Sequence, residues 1–173
     1  MASWRAEIEA HPLPVNLAAL LDEAAISFGA AGLWTFIDGS ATAGFDEVAD
    51  DTKRVAAGLA AIGVRQGAIV AVVIPNRPAF PLTWLALARL GAVMVPVNVR
   101  SKARELHYVL EDSGASHVVI DVELLPMLDQ IEADVAPIAD DHLVIVGGDG
   151  SRGHSFAGLL ACEPLRAPRS PQL

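Results

Sequence analysis

Apolar positions recur along this chain in two alternating rhythms, and the alternation predicts a fold class. From Asn16 to Phe28, the residues Leu17, Leu20, Leu21, Ala24 and Phe28 share one helical face, and Gly29 supplies a stop. Leu33 to Ile37 is short, apolar and aromatic, as strands are, and Asp38-Gly39-Ser40 is turn chemistry that predicts a hairpin return. Phe45 to Ile62 keeps Val48, Thr52, Val55, Leu59 and Ile62 at helical spacing, with Asp50, Asp51, Lys53 and Arg54 opposite and Gly63 placed for a left-handed cap. Ala68 to Ile74 is apolar at nearly every position, which predicts a parallel strand covered on both faces.

Ala79 to Leu90 is apolar nearly all round and predicts a buried helix that Gly91 ends. Pro78 suits a first turn, whereas Pro81 deeper in the helix would delete a backbone hydrogen bond, so a late start or a distortion is expected there. Ala92 to Val97 predicts a second buried strand, closed by Pro96. Ser101 is expected to cap the next helix, with Leu106, Val109 and Leu110 inward, Gly114 at its end, and Arg104 where a capping box would place Glu or Gln. His117 to Asp121 and His142 to Val146 predict further strands, separated by a helix from Glu123 to Glu132. Together these predict an α/β unit: a mostly parallel open sheet with helices on both faces.

From Gly147 the character changes. GGDGSRGHS has loop composition, and a short helix is expected at Phe156 to Ala161. Pro164, Pro168 and Pro171 with Arg166 and Arg169 give the last residues a linker composition. The expected organisation is an N-terminal lead-in over 1–15, an α/β core over 16–146, and a loop with a Pro/Arg-containing linker or truncated tail over 147–173. That length, 173 residues, suits one domain, and 53% hydrophobic content supports a packed core.

Charge changes the picture only by exclusion. The formal net charge is −9 and the acidic residues are dispersed, which disfavours nucleic acid as a partner. Cys162 is the single cysteine, so no disulfide can form within the chain. The first residues carry Glu7 and Glu9 without an apolar run, unlike a signal peptide, and the longest apolar stretch, Phe80 to Val99, is broken by Pro81, Arg89 and Pro96. No membrane span is expected, and a cytoplasmic location is.

Candidate chemistry is sparse. The histidines at 11, 107, 117, 142 and 154 lack metal-ligand spacing. The neighbouring carboxylates Asp22-Glu23, Asp46-Glu47, Asp50-Asp51, Glu111-Asp112 and Asp140-Asp141 point apart on a helix and suit solvated faces and caps. Gly147-Gly148-Asp149-Gly150 has glycines but neither a dinucleotide fingerprint nor a Walker ending, and no G-x-S-x-G elbow occurs.

One block carries more information. Leu87-Ala88-Arg89-Leu90-Gly91-Ala92-Val93-Met94-Val95-Pro96-Val97-Asn98 is similar to the early core motif of adenylate-forming ligases of the acyl-CoA synthetase class: a helix end, Gly-Ala, then an apolar strand closing on Pro-x-Asn. Pro75-Asn76 with Phe80 resembles the family's approach to that helix. Glu105-Leu106, Tyr108, Leu110, Asp112-Ser113 and Ala115 resemble the helix that follows, and Phe45-x-Glu47-Val48 its opening motif, with Gly44 where Ser or Thr is usual. The ordered set runs from about Phe45 to Ile120, with weaker similarity from Asn16 to Val146.

The resemblance implies an incomplete N-terminal subdomain of the adenylate-forming ligase fold. It implies, for the full-length family, ATP with Mg²⁺ and coenzyme A: a carboxylate is joined to AMP and then passed to the thiol. The family's Ser/Thr/Gly-rich loop ending in Pro-Lys-Gly, its Mg-ATP and ribose-binding segments and its C-terminal lysine have no counterpart in these 173 residues. No catalytic, cofactor-binding or metal-binding residue is therefore assigned, and no cofactor is expected for this chain alone. Gly91, Pro96, Asn98 and Glu105 are expected to be architectural. Arg100 and Lys102, the cations nearest the place where some relatives hold the nucleotide end of coenzyme A, are expected to be solvated. Three readings stand: an N-terminal fragment of a carboxylate–CoA ligase, inactive alone, open to self-association and completed by a C-terminal ligase chain; a stand-alone, non-catalytic module that pairs with another chain; and an unrelated α/β ligand-binding domain.

Overall fold

The computed structural model describes residues 10, 14–39, 41–132 and 138–165. His11, Ser40 and the Pro/Arg-containing stretch from Arg166 onward lie outside the described residues. In chain order the elements are α1 (Leu17–Phe28), β1 (Gly32–Thr35), β2 (Thr42–Gly44), α2 (Phe45–Ala61), β3 (Ile69–Val73), α3 (Ala79–Leu90), β4 (Val93–Pro96), α4 (Ala103–Ser113), β5 (His117–Asp121), α5 (Leu125–Glu132), β6 (Leu143–Val146), β7 (His154–Ser155) and α6 (Phe156–Leu160). A 3-10 turn, Val122–Leu124, leads into α5, and another, Asp140–His142, leads into β6.

β1 and β2 form the expected antiparallel hairpin. The main sheet has five strands in the order β4-β3-β5-β6-β7, and every pairing is parallel. Successive residues alternate between its faces. Val70, Val72, Ile74, Val119, Val144 and Val146 meet α1, α2, α3 and α6 on one face. Ala71, Val73, Val118, Ile120, Leu143 and Ile145 meet α4 and α5 on the other. The α/β sheet with helices on both faces is thus the architecture found.

Several expectations change in detail. β4 is not a buried strand; it is an edge of the sheet, paired only with β3, and Val93 is half exposed. The apolar face expected for α1 is largely outward: Leu17, Leu20 and Phe28 are exposed, while Ala18 and Leu21 are buried. Pro81 causes no late start, because α3 begins at Ala79 and Pro81 falls in its first turn, where amide hydrogens have no helical partner anyway. The cap of α4 is Lys102, one residue later than Ser101, and this register puts Glu105 at the box position, its carboxylate accepting from the Lys102 amide at 2.9 Å. Where loop was expected, His154–Ser155 pairs with β6, and Phe156 and Leu159 are buried against α2. Among the described residues, no helix is long and apolar enough to cross a membrane.

Two features join the helical layer on the first face. Gly58, within α2, lets α6 approach so closely that a Cβ there would lie 2.6 Å from Leu159 Cγ and 2.9 Å from its Cα. Arg89 of α3 is fully buried and makes a two-pronged pair with Asp22 of α1, both contacts at 2.8 Å, while Lys53 of α2 approaches Asp22 at 3.4 Å. One carboxylate therefore ties three helices. Burial acts on Asp22 most strongly and pushes its carboxyl up, but Arg89 and Lys53 together outweigh it and hold the group below its ordinary value.

Gly58→Ala should lower stability by about 1–2 kcal/mol despite alanine's better helix propensity, because the clash is with backbone as well as side chain; a more stable Ala variant in urea unfolding would contradict the packing. Asp22→Asn should cost about 3 kcal/mol by leaving Arg89 buried without its counter-ion. Because the folded pKa of Asp22 is depressed, its contribution is full above the unfolded aspartate value and is lost as pH falls through the folded one. The gap between Asp22→Asn and the parent in urea midpoint should accordingly close on acidification below about pH 4.

Candidate functional site

In an open parallel sheet, ligands bind beyond the carboxyl ends of the strands where the winding direction reverses. The reversal here lies at β3, since β4 follows it on one side and β5 is then placed on the other. The helix after β3 packs on one face and the helix after β5 on the other, so the loops after these strands part and leave a crevice.

That crevice is spanned by charge. Asp121, the last residue of β5, is fully buried. Its Oδ1 accepts from the Glu123 amide at 3.1 Å. Its Oδ2 lies 2.9 Å from Arg77 Nη1 without a hydrogen bond in line, so that contact is chiefly ionic. Arg77, in the loop after β3, is partly exposed and also reaches Glu123 at 3.5 Å. Beside it, Asn76 and the hairpin residues Trp34, Thr35, Phe36, Ile37 and Asp38 line an open, mostly apolar hollow of about 570 Å³.

The other carboxyl-end loops are structurally committed. Asn98 caps a turn by accepting from the Arg100 amide at 2.9 Å. Arg100 and Lys102 are exposed. Gly91 closes α3 in the left-handed conformation, φ 67°, which is what demands glycine there; a Cβ would touch only the movable side chain of Gln66. The loop after β6 borders a hollow of about 390 Å³ lined by Val122, Leu125, Ile145, Gly147, Gly148 and Asp149 among others. Asp149 accepts from the Ser151 amide at 2.9 Å, and hydrogen bonds from Ser151 hold its carboxyl below the ordinary value, so an anion stands in the glycine loop. Arg152 is bracketed by Asp140, at 3.2 Å, and Asp129.

Among the described residues, no group of three or more His, Cys, Asp or Glu side chains could hold a metal ion. Sequence reasoning missed two pairs. Asp22 is no merely solvated carboxylate, since Arg89 holds it, and Arg77 meets Asp121 across the crevice. A charged residue inside an otherwise apolar helix, as Arg89 is, was the available signal for the first.

The sequence profile of the AMP-binding enzymes matches residues 21–155. The chain belongs to the AMP-binding enzyme family. It is 36% identical over 134 residues to 4-coumarate–CoA ligase 5 of Oryza sativa subsp. japonica, covering 76% of this chain and 24% of that protein. It is 31% identical over 138 residues to the 4-hydroxybenzoate–CoA/benzoate–CoA ligase of Rhodopseudomonas palustris, covering 80% and 25%. The solved anthranilate CoA ligase AuaEII, in complex with anthranoyl-AMP, superposes with a TM-score of 0.80 at 25% identity, covering 94% of this chain and 31% of that one. The chain thus spans about a quarter of the length of the curated relatives it matches, and its fold is the N-terminal part of an adenylate-forming ligase.

AMP-binding enzymes imply ATP, and these residues do not fit its triphosphate. The crevice cation is already paired with two carboxylates, and the glycine loop presents Asp149 where a phosphate would require donors and cations. Arg77 is there to compensate Asp121. Arg77→Ala should therefore cost about 3 kcal/mol by leaving Asp121 buried and unpaired, whereas Glu123→Ala should change stability by no more than about 0.5 kcal/mol. Equal losses in urea unfolding would show that Arg77 acts only as a surface charge.

Proposed function

We propose that residues 1–173 act as the N-terminal portion of an ATP-dependent carboxylate–CoA ligase, and that this portion alone forms no acyl adenylate. The observation that carries the reading is the placement of the family match. It falls on an α/β unit in which the carboxyl-edge groups Arg77, Asp121, Asn98 and Glu105 are spent on an ion pair, a turn and a cap. Nucleotidyl transfer needs cations and donors aimed at the reacting phosphates, and Arg77, the cation in the crevice, is instead paired with Asp121 and Glu123.

In this reading the phosphate loop, Mg²⁺ site, coenzyme A site and acyl pocket are completed by a further ligase segment, and the assembly works in the cytoplasm. The relatives named for 4-coumarate, 4-hydroxybenzoate and benzoate suggest an aromatic carboxylate as the acyl group. Carboxylate-dependent ATP–pyrophosphate exchange tests this directly, using coumarate, benzoate, anthranilate and a fatty acid. The chain alone should stay at the blank, and Mg-ATP should leave its melting temperature unchanged, since only binding to the folded state raises it. Adding a separately expressed C-terminal portion of a CoA ligase should restore exchange. Exchange by the chain alone would overturn the reading, and an inert mixture would favour a non-catalytic pairing module.

A further inference from the structure

At the opposite end of the sheet from the crevice, two imidazoles stack. His117 opens β5, and His142 immediately precedes β6; the register of these parallel neighbours, Val118 against Leu143, sets them side by side. Their ring centroids are 4.5 Å apart and the planes 34° from parallel. His117 is buried, and both its nitrogens are engaged. Nε2 lies 3.1 Å from the carbonyl oxygen of Ile62, which closes α2, and Nδ1 lies 2.9 Å from Ser116 Oγ. That hydroxyl also reaches the Ile69 carbonyl at the start of β3, at 3.2 Å.

The partners dictate the protons. A carbonyl only accepts, so Nε2 carries hydrogen and donates to Ile62. In the neutral ring Nδ1 is then bare and accepts the Ser116 hydroxyl hydrogen. If Nδ1 gains a proton, it becomes the donor to Ser116 Oγ, and the hydroxyl turns its hydrogen to Ile69. No ring nitrogen loses its partner in either state, and one rotation interconverts them.

The charged and titratable groups facing this ring are His142 and Asp141 from the approach to β6 and Arg65 from the loop after α2; the end of α2 and the start of β3 present carbonyls. Burial is the strongest influence and pushes the imidazole below its ordinary value. The Ile62 carbonyl and Asp141 favour the charged ring, while His142 and Arg65 oppose it.

We propose that Ser116, His117 and His142 form a single-proton switch joining the end of α2 to the amino edge of the sheet: the serine hydroxyl turns to admit a proton on His117, and the stacked His142 ring opposes that proton. A charged His142 ring, stacked at 4.5 Å, then opposes the proton on His117. The direction for the fold follows. The unfolded chain binds the His117 proton more tightly, so stability is full above the unfolded histidine value and declines as pH falls below about 6.5.

The test is an NMR titration of the histidine ring carbon-bound protons in the 173-residue chain between pH 8 and 5. His142→Gln should raise the His117 midpoint and turn its curve into a single-site one. Ser116→Ala should lower that midpoint by about half a unit to one unit, since the charged ring loses an acceptor that matters more to it than to the neutral ring. Ser116→Thr keeps the hydroxyl and should retain the parent midpoint. A His117 curve unmoved by His142→Gln would overturn the coupling. A midpoint that stays or rises in Ser116→Ala, in a variant that melts like the parent at pH 8, would overturn the hydroxyl turn.

Discussion

The structure depends on burying the middle strands of its sheet on both faces. β5 and β6 are buried at every position, and β3 at all but its first. A strand sends alternate side chains to opposite faces, so one helical layer cannot satisfy it. Two helical layers need crossover connections, crossovers make the strands parallel, and parallel strands gather their carboxyl ends along one edge. The crevice at β3 is a geometric result of that requirement before it is a site for anything.

Charge then fixes what apolar packing leaves loose. Valine and leucine tolerate sliding, whereas a fully buried guanidinium facing one carboxylate does not. The Arg89–Asp22 contact sets α1 against α3, and Arg77–Asp121 sets the loop after β3 against the end of β5. Each pair holds one fully buried charge, and removing its partner leaves that charge uncompensated. The same commitment explains why an edge suited by topology to ligands has so little free chemistry of its own.

Most of the fold was legible because its signals are local. Gly91 and Gly114 end helices through their own left-handed backbone, and the unbroken apolar runs of β3 and β5 announce two-sided cover. The misreadings of β4 and β7 concern pairing partners, which local pattern does not encode. Val93 to Pro96 is apolar enough for a central strand, yet the order of crossovers leaves it at the edge. His154–Ser155 has no strand signature and becomes one because β6 offers an open ladder beside it. Glu105 was legible as a first-turn anion, but its capping role depended on a one-residue shift of the helix start. At the candidate site, the Pro75-Asn76 and Pro96-x-Asn98 segments were found from sequence, while the pairing of Arg77 with Asp121 required two segments that only the sheet brings together.

The strand order also says in what sequence the sheet would be covered if strands docked as they were made. As the chain emerges from its N-terminus, β3 meets β4 first, through the short crossover of α3. The other flank of β3 waits for β5, whose residues follow α4. The strand that finishes as one of the most enclosed therefore spends the whole of α4's synthesis with a bare, strongly apolar edge, the kind of edge on which nascent chains pair wrongly. After β5 docks, β6 and β7 add outward in chain order, each covering the edge left open by the strand before it.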